Sequence, residues 1–290
     1  MDAMDSTGRY SANYARLRLA RTCRDDPTLK TLDIVFVDEV QDLPPCDLMV
    51  LKALCRGPVI MAGDNEQAVF RKGFSFRRAG IDIVGRSRTI SMNFRNTMPV
   101  NDLAERFRQR LGTPDGDDPE SLKAHERPSQ SFRPEPPPEL VQAGPGGPMQ
   151  VRLLDKLRFY MTILGYNPET MTVLLPDAAT LDDVVAAMQE AGIQGARMDD
   201  HDFSFAESKG VRLSLMKSAK GIDFAVVILY LPYLPEGVDV YDSGFNQAMV
   251  RNTLYVCLTR AMEQLAVIMP EKPEPGILID LAQAFQVGAS

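Results

Sequence analysis

Histidine is scarce in this sequence, with two residues, and cysteine nearly so, with four. His125 and His201 both stand in polar surroundings, so neither a His-based metal cluster nor a Ser-His-Asp triad is expected. Cys23, Cys46, Cys55 and Cys257 are scattered without a C-x-x-C pair. That pattern points away from zinc and disulfides, toward buried thiols in a reducing compartment, and no structural metal is expected. Long apolar runs are missing too. The longest, "FAVVILYLPYLP", is too short to span a bilayer and is broken by proline. The first twenty residues are polar and Arg-rich, with no apolar h-region. No membrane partner is expected, and the location should be cytoplasmic. An excess of positive charge is also lacking: the formal net charge is −7. This excludes a protein that coats nucleic acid by bulk charge alone, but it leaves room for a local basic channel.

What is present fits a globular α/β protein. The 290 residues, 44% hydrophobic and 24% charged, suffice for one large or two ordinary domains. Seven of the 21 prolines fall within "PSQSFRPEPPPELVQAGPGGP", residues 128–148. Such a composition reads as an extended linker that sustains neither helix nor ladder. The expected organisation is a first unit over residues 1–111, a Pro/Gly-rich linker over 112–148 and a second unit over 149–290. "LDIVFVD", "GPVIMAGD", "MTVLLP", "VRLSLM", "FAVVILYL" and "QLAVIMP" read as buried strands. Between them, "PCDLMVLKALC", "TLDDVVAAMQEAG" and "NQAMVRNTLYVCLTRAM" read as helices. Thr180 and Asp183 form a capping-box pattern in the second of these, and Gly192 should end it. Alternating strands and helices predict parallel sheets covered by helices.

In open parallel sheets, ligands bind beyond the carboxyl ends of the strands. Asp38 and Glu39 sit at such an end, in "DIVFVDEVQDLPP". An Asp there can hold Mg²⁺ on a nucleotide's phosphates, and a neighbouring Glu can orient and deprotonate the attacking water. Taken alone, the pair is equally a turn composition before Pro44 and Pro45. The next strand repeats the arrangement in "VIMAGDNEQAVF", where Asp64 and then Gln67 follow.

Together, "VDEVQDL" and "AGDNEQAVF" resemble motifs II and III of UvrD/Rep/PcrA-type superfamily 1 DNA helicases. "SMNFRNT" (91–97) is similar to the family's motif IV, "LSLMKSAKGIDF" (213–224) to motif V and "LYVCLTRAMEQL" (254–265) to motif VI, in the family's order. The resemblance implies two RecA-like parallel-sheet units, the first incomplete, joined by the Pro/Gly-rich linker. It also implies ATP and Mg²⁺ as cofactors and single-stranded DNA, or its junction with duplex, as partner. Movement 3′ to 5′ is implied for a full-length relative. By the same resemblance, Asp38 holds magnesium, Glu39 activates water and Asp64 lines the nucleotide. Gln67 couples the phosphate site to the DNA path, while Arg95 and Arg260 reach the γ-phosphate. A guanidinium presents a permanently charged fork of donors to phosphate oxygens, which suits it to that role. Lys220 and Gly221 hold the motif V loop near phosphate. Asp223 matches a family Glu that bonds the nucleotide ribose, but it is one methylene shorter.

For DNA, "FRKGFSFRR" (70–78) interleaves aromatic and cationic residues as a single-strand channel requires. Phe70 is the stacking candidate. Lys72 stands where the family usually has tryptophan, which this chain lacks altogether. Lys217 and Ser218 are candidates for a DNA phosphate, although Lys217 and Leu215 replace the family's His and Thr. The interval between residues 97 and 213 is too short for the family's large inserted subdomain, so the resemblance is to compact members.

One part of such a site is missing. The phosphate-cradling string G-x-x-x-x-G-K-[ST] does not occur, nor does any Gly-Lys dipeptide. The chain alone is therefore expected to be catalytically incomplete, with a P-loop-bearing N-terminal segment as its natural partner. The first unit should then expose sheet edges and apolar surface. The alternative is a non-catalytic nucleic-acid- or partner-binding remnant of the fold.

Overall fold

The apolar runs become parallel strands in a computed structural model. It describes residues 11–63, 76, 80–83, 85–88, 92–109, 130–134, 136–144, 148–235, 243–274 and 276–286. The chain divides into two compact units, residues 1–89 with 114–126, and residues 90–113 with 127–290.

In the N-terminal unit, α1 (Ala12–Asp25) begins at Ser11, whose hydroxyl accepts from Tyr14 N–H. Strand β1 (Val35–Val37), helix α2 (Pro45–Leu54) and strand β2 (Val59–Met61) follow. Pro45 opens α2, where its fixed φ is favourable and its missing N–H costs nothing. β1 and β2 pair in parallel, Val35 with Val59 and Val37 with Met61. The inward side of the pair packs Val35, Val37, Val59 and Met61 around Val40 and Leu48. The opposite side carries Ile34, Phe36 and Ile60, which are 52%, 75% and 48% exposed. A parallel sheet is normally covered on both faces. Among the described residues, the face that carries Phe36 is left exposed.

The C-terminal unit holds a six-stranded sheet, every pairing parallel, in the order β5-β10-β9-β6-β8-β7. It follows a parallel two-stranded ribbon of β3 (Met92–Thr97) and β4 (Gln130–Arg133), with α3 (Met98–Gln109) between them. The sheet elements run β5 (Glu139–Ala143), α4 (Met149–Arg158), β6 (Met171–Leu175), α5 (Ala178–Glu190), β7 (Gly195–Arg197) and β8 (Val211–Leu215). β9 (Phe224–Tyr230), α6 (Ser243–Leu258), β10 (Ala261–Pro270) and α7 (Ile277–Gln286) complete it.

Side-chain alternation along the strands divides the core into two layers. Val227, Leu229, Leu265 and Val267 pack with Leu103 and Phe107 of α3, Leu254 and Leu258 of α6, and Leu281 of α7. Val226, Ile228, Ala266 and Ile268 pack with Leu153 and Leu157 of α4, and with Leu181, Val184 and Met188 of α5. Both faces are covered, so this unit is a complete α/β layer structure. Among the described residues, no helix is long and apolar enough to cross a membrane.

Three details differ from expectation. The Pro-rich stretch is not a continuous linker, because β4 lies between Pro128 and Pro134, and β5 between Pro138 and Pro145. The prolines flank the ladders instead of entering them, and β5 is an edge strand, where such composition is tolerated. Residues 91–97 belong with the second unit, since α3, directly after them, buries Val100, Leu103 and Phe107 in that unit's core. Helix α5 starts earlier than the capping-box pattern suggested, with Asp177 as the N-cap accepting from Thr180 N–H at 2.8 Å. Gly192 does follow it, at φ +69°.

Candidate nucleotide site

In the N-terminal unit, β1 delivers Asp38 and Glu39 to the carboxyl end of the strand pair. The two strand tips are tied together: Ala62 N–H donates to Val37 O at 2.8 Å, and Val40 N–H to Ala62 O at 3.0 Å. Gly63 therefore leaves β2 beside the acidic pair, and Asp64, predicted as a site residue, lies outside the described residues. Asp38 is exposed, and its Oδ1 accepts from Glu39 N–H at 2.8 Å. Glu39 has φ 51° and ψ 42°, the only positive φ among the described non-glycine residues. Left-handed backbone at a non-glycine residue costs about 1–3 kcal/mol and persists where the surroundings impose it, often at functional positions.

Asp38 fits a magnesium ligand on donor chemistry. It is a hard oxygen donor at a strand tip, with only one oxygen engaged by the backbone. Magnesium typically takes one or two carboxylates and completes its shell with water and substrate phosphate. Gln67, Phe70 and Lys72, also predicted as site residues, lie outside the described residues.

In the C-terminal unit, a second constellation forms where β9 and β10 begin. Phe224 N–H donates to Arg260 O at 3.1 Å, and Phe224 pairs with Ala261. Asp223 and Arg260, the residues just before these strands, are thereby adjacent. Arg260 Nη1 lies 3.3 Å from Asp223 Oδ1, and Arg95 Nε lies 2.8 Å from Asp223 Oδ2. The two arginines expected to serve one phosphate thus meet on one carboxylate. Their environments differ: the Arg260 side chain is 2% exposed and that of Arg95 41%. Arg260 Nε also donates to Val256 O at 3.2 Å. The predicted ribose contact, Asp223, is here the hub of the pair, 28% exposed. This cluster stands at the amino ends of its strands, opposite to the end at which open parallel sheets ordinarily bind ligands.

An asparagine network that sequence reasoning missed holds the arginines in place. Asn96 is 1% exposed, and its Nδ2 donates to Thr259 O at 2.9 Å and Ala261 O at 2.6 Å, the carbonyls on either side of Arg260. Asn93 Nδ2 donates to Asn96 Oδ1 at 2.8 Å and to Asn101 Oδ1 at 2.9 Å. Asn93 Oδ1 accepts from the N–H groups of Arg95 and Asn96. Arg133 Nη1 donates to Met262 O at 2.9 Å, pinning β4 to the start of β10. A signal existed in the sequence, since two asparagines in one short strand are unfavourable unless their side chains have a task.

The remaining motif V candidates lie on the connection from β8 to β9. Lys217 and Ser218 are exposed on the one-turn helix Met216–Ser218. Lys220 is half-buried, and Gly221 adopts φ +81°, a conformation that admits glycine with little cost. All four cysteines are free and buried. Burial pushes the Cys257 thiol up to about 12, with nearby Arg260 acting in the opposite sense, so this sulfur stays a neutral packing group.

Comparison with known proteins bears on the family. The family model of the UvrD/REP helicase N-terminal domain matches residues 19–89, the segment that carries the acidic strand tip. No curated protein matches the chain. A solved structure, the C-terminal domain of a possible DNA helicase from Lactobacillus plantarum WCFS1, is similar at 16% identity with a TM-score of 0.45. That likeness covers 66% of this chain and 94% of the other. The family match makes residues 19–89 similar to the N-terminal domain of UvrD/REP helicases, over about a quarter of the chain.

Proposed function

We propose that this chain is part of an ATP-dependent DNA helicase or translocase, coupling Mg²⁺-ATP hydrolysis to movement on single-stranded DNA. Asp38 holds the magnesium ion, which on binding supplies charge neutralisation for the phosphates. Glu39 orients water and accepts its proton. Arg95 and Arg260 take up the charge that develops on the transferred phosphoryl group. Lys217, Ser218 and Lys72 contact the DNA backbone, and Phe70 stacks on its bases. The observation that carries this reading is the meeting of Arg95 and Arg260, far apart in sequence, around one carboxylate at 2.8 and 3.3 Å. Two guanidiniums converging on an anion have the geometry that phosphate recognition uses.

Without a Gly-Lys phosphate loop in its sequence, the chain by itself does not turn over ATP. DNA-stimulated ATPase is expected only in a longer polypeptide in which a P-loop-bearing segment precedes residue 1. In that form, Glu39→Gln and Arg260→Ala should each lower kcat by about 10³-fold or more. Near-wild-type kcat in both variants would remove the proposal. Salt-sensitive single-strand binding by the present chain, combined with an inactive longer form, would favour a binding remnant instead.

A further inference from the structure

Asp223 is placed as a substitute for a ligand, not as a contact to one. Its carboxylate bridges Arg95 at 2.8 Å and Arg260 at 3.3 Å. Its Oδ1 is buried and receives no hydrogen bond, so the approach of Arg260 Nη1 satisfies it by charge alone. Arg260 is held from behind by Val256 O, and its flanking carbonyls by Asn96, so the guanidinium is fixed while its acidic partner is the less satisfied member. Arg133 and Glu263 lie close by and pair with each other at 3.7 Å. The local sum over Arg95, Arg260 and Asp223 is +1, and it would be +2 without the aspartate.

We propose that Asp223 is an internal counter-anion for Arg95 and Arg260 and sets their selectivity for multiply charged phosphate. It keeps the two guanidiniums paired and poised, and yields them only to an anion that carries more charge than a carboxylate. A ribose contact, by contrast, would leave the arginines open to any anion. The inference rests on the reading of this cluster as a phosphate site, and it adds a role for Asp223 opposite in sign to that of a nucleotide ligand. A ligand's loss weakens binding, whereas a competitor's loss strengthens it.

The test uses the full 290-residue chain. Binding of inorganic pyrophosphate and of ADP is measured by calorimetry for the wild type, Asp223→Asn and Asp223→Glu. The arginine Nε–Hε resonances of the wild type are followed during the same titrations. Removing one negative charge at contact distance should tighten pyrophosphate and ADP binding about tenfold, with a steeper dependence on salt. Asp223→Glu should stay near wild type, and pyrophosphate should shift both the Arg95 and Arg260 signals. Unchanged pyrophosphate binding with weakened ADP binding in Asp223→Asn would overturn the counter-anion role and leave the nucleotide reading standing. Absence of pyrophosphate binding in all three proteins, with both arginine signals unmoved, would overturn the phosphate-site reading and this inference with it. The wild-type resonances serve as a readout even if a variant folds poorly.

Discussion

Replacing Asn96 with alanine deletes one side chain and leaves two carbonyls without a donor. Asn96 Nδ2 serves Thr259 O at 2.9 Å and Ala261 O at 2.6 Å, and the three residues are 1%, 5% and 0% exposed. Water has little access to repair the loss. A neutral hydrogen bond contributes about 1 kcal/mol net, and a buried acceptor left unsatisfied costs about 1–3 kcal/mol. Partial relaxation of the turn offsets some of this, so about 2–4 kcal/mol is expected for the C-terminal unit. Asn93 keeps Asn101 as an acceptor, so the rest of the network should survive. Urea unfolding followed by near-UV tyrosine circular dichroism is a suitable assay. The chain has eight tyrosines and no tryptophan, and Tyr160, Tyr166, Tyr230, Tyr233 and Tyr255 all lie in this unit. Hydrogen exchange of the peptide over residues 254–270 should rise in parallel, because the carbonyls concerned sit at the α6–β10 junction. A stability change below about 0.5 kcal/mol, with exchange unaltered, would refute the argument that one amide holds Arg260 in place.

The other expectations are simpler to check. Asp177→Ala removes the N-cap of α5 and should cost about 1 kcal/mol at neutral pH. The Thr180 N–H and then the Tyr233 hydroxyl hold the Asp177 carboxyl below its ordinary 3.8. Its stabilisation is therefore complete above that value and lost as pH falls through the lower folded value, so the wild-type advantage should vanish in acid. A wild-type advantage that stays constant throughout the acid titration would refute the linkage. Gly210→Ala sets a Cβ 2.3 Å from Gln194 O at φ +97°, and should lower stability by about 1–3 kcal/mol from backbone strain alone, read as a fall in the urea midpoint. An unchanged midpoint would count against it. Phe36→Ser should reduce binding of the apolar dye ANS while shifting stability by less than about 0.5 kcal/mol, because the ring is 75% exposed. A loss above about 1 kcal/mol would mean that the ring is covered in solution.

Much of the local structure was legible because it depends on neighbours in the chain. The continuous apolar run "FAVVILYL" reappears as β9, buried on both sides, with Val227 and Leu229 facing one core layer and Val226 and Ile228 the other. Leu181, Val184 and Met188 follow the helical period and are buried on α5. Reading proline content over a window failed at β4 and β5, because a ladder needs only a few proline-free residues. The Asn96 clamp was not legible, since its partners Thr259 and Ala261 lie more than 160 positions away.

The sequence by itself determined the strand and helix periods, the acidic strand tip at Asp38 and Glu39, and the order of the motifs. These are properties of short covalent stretches and of their spacing. Only the tertiary structure decided that Arg95, Asp223 and Arg260 share one cluster, and that residues 91–97 fold with the second unit. Strand order sets those contacts: β9 lies beside β10, and the segment bearing Arg95 is clamped onto the start of β10. Which strands become neighbours is settled by burying both faces of a sheet at once, a free energy that belongs to the whole unit and to no single stretch of chain.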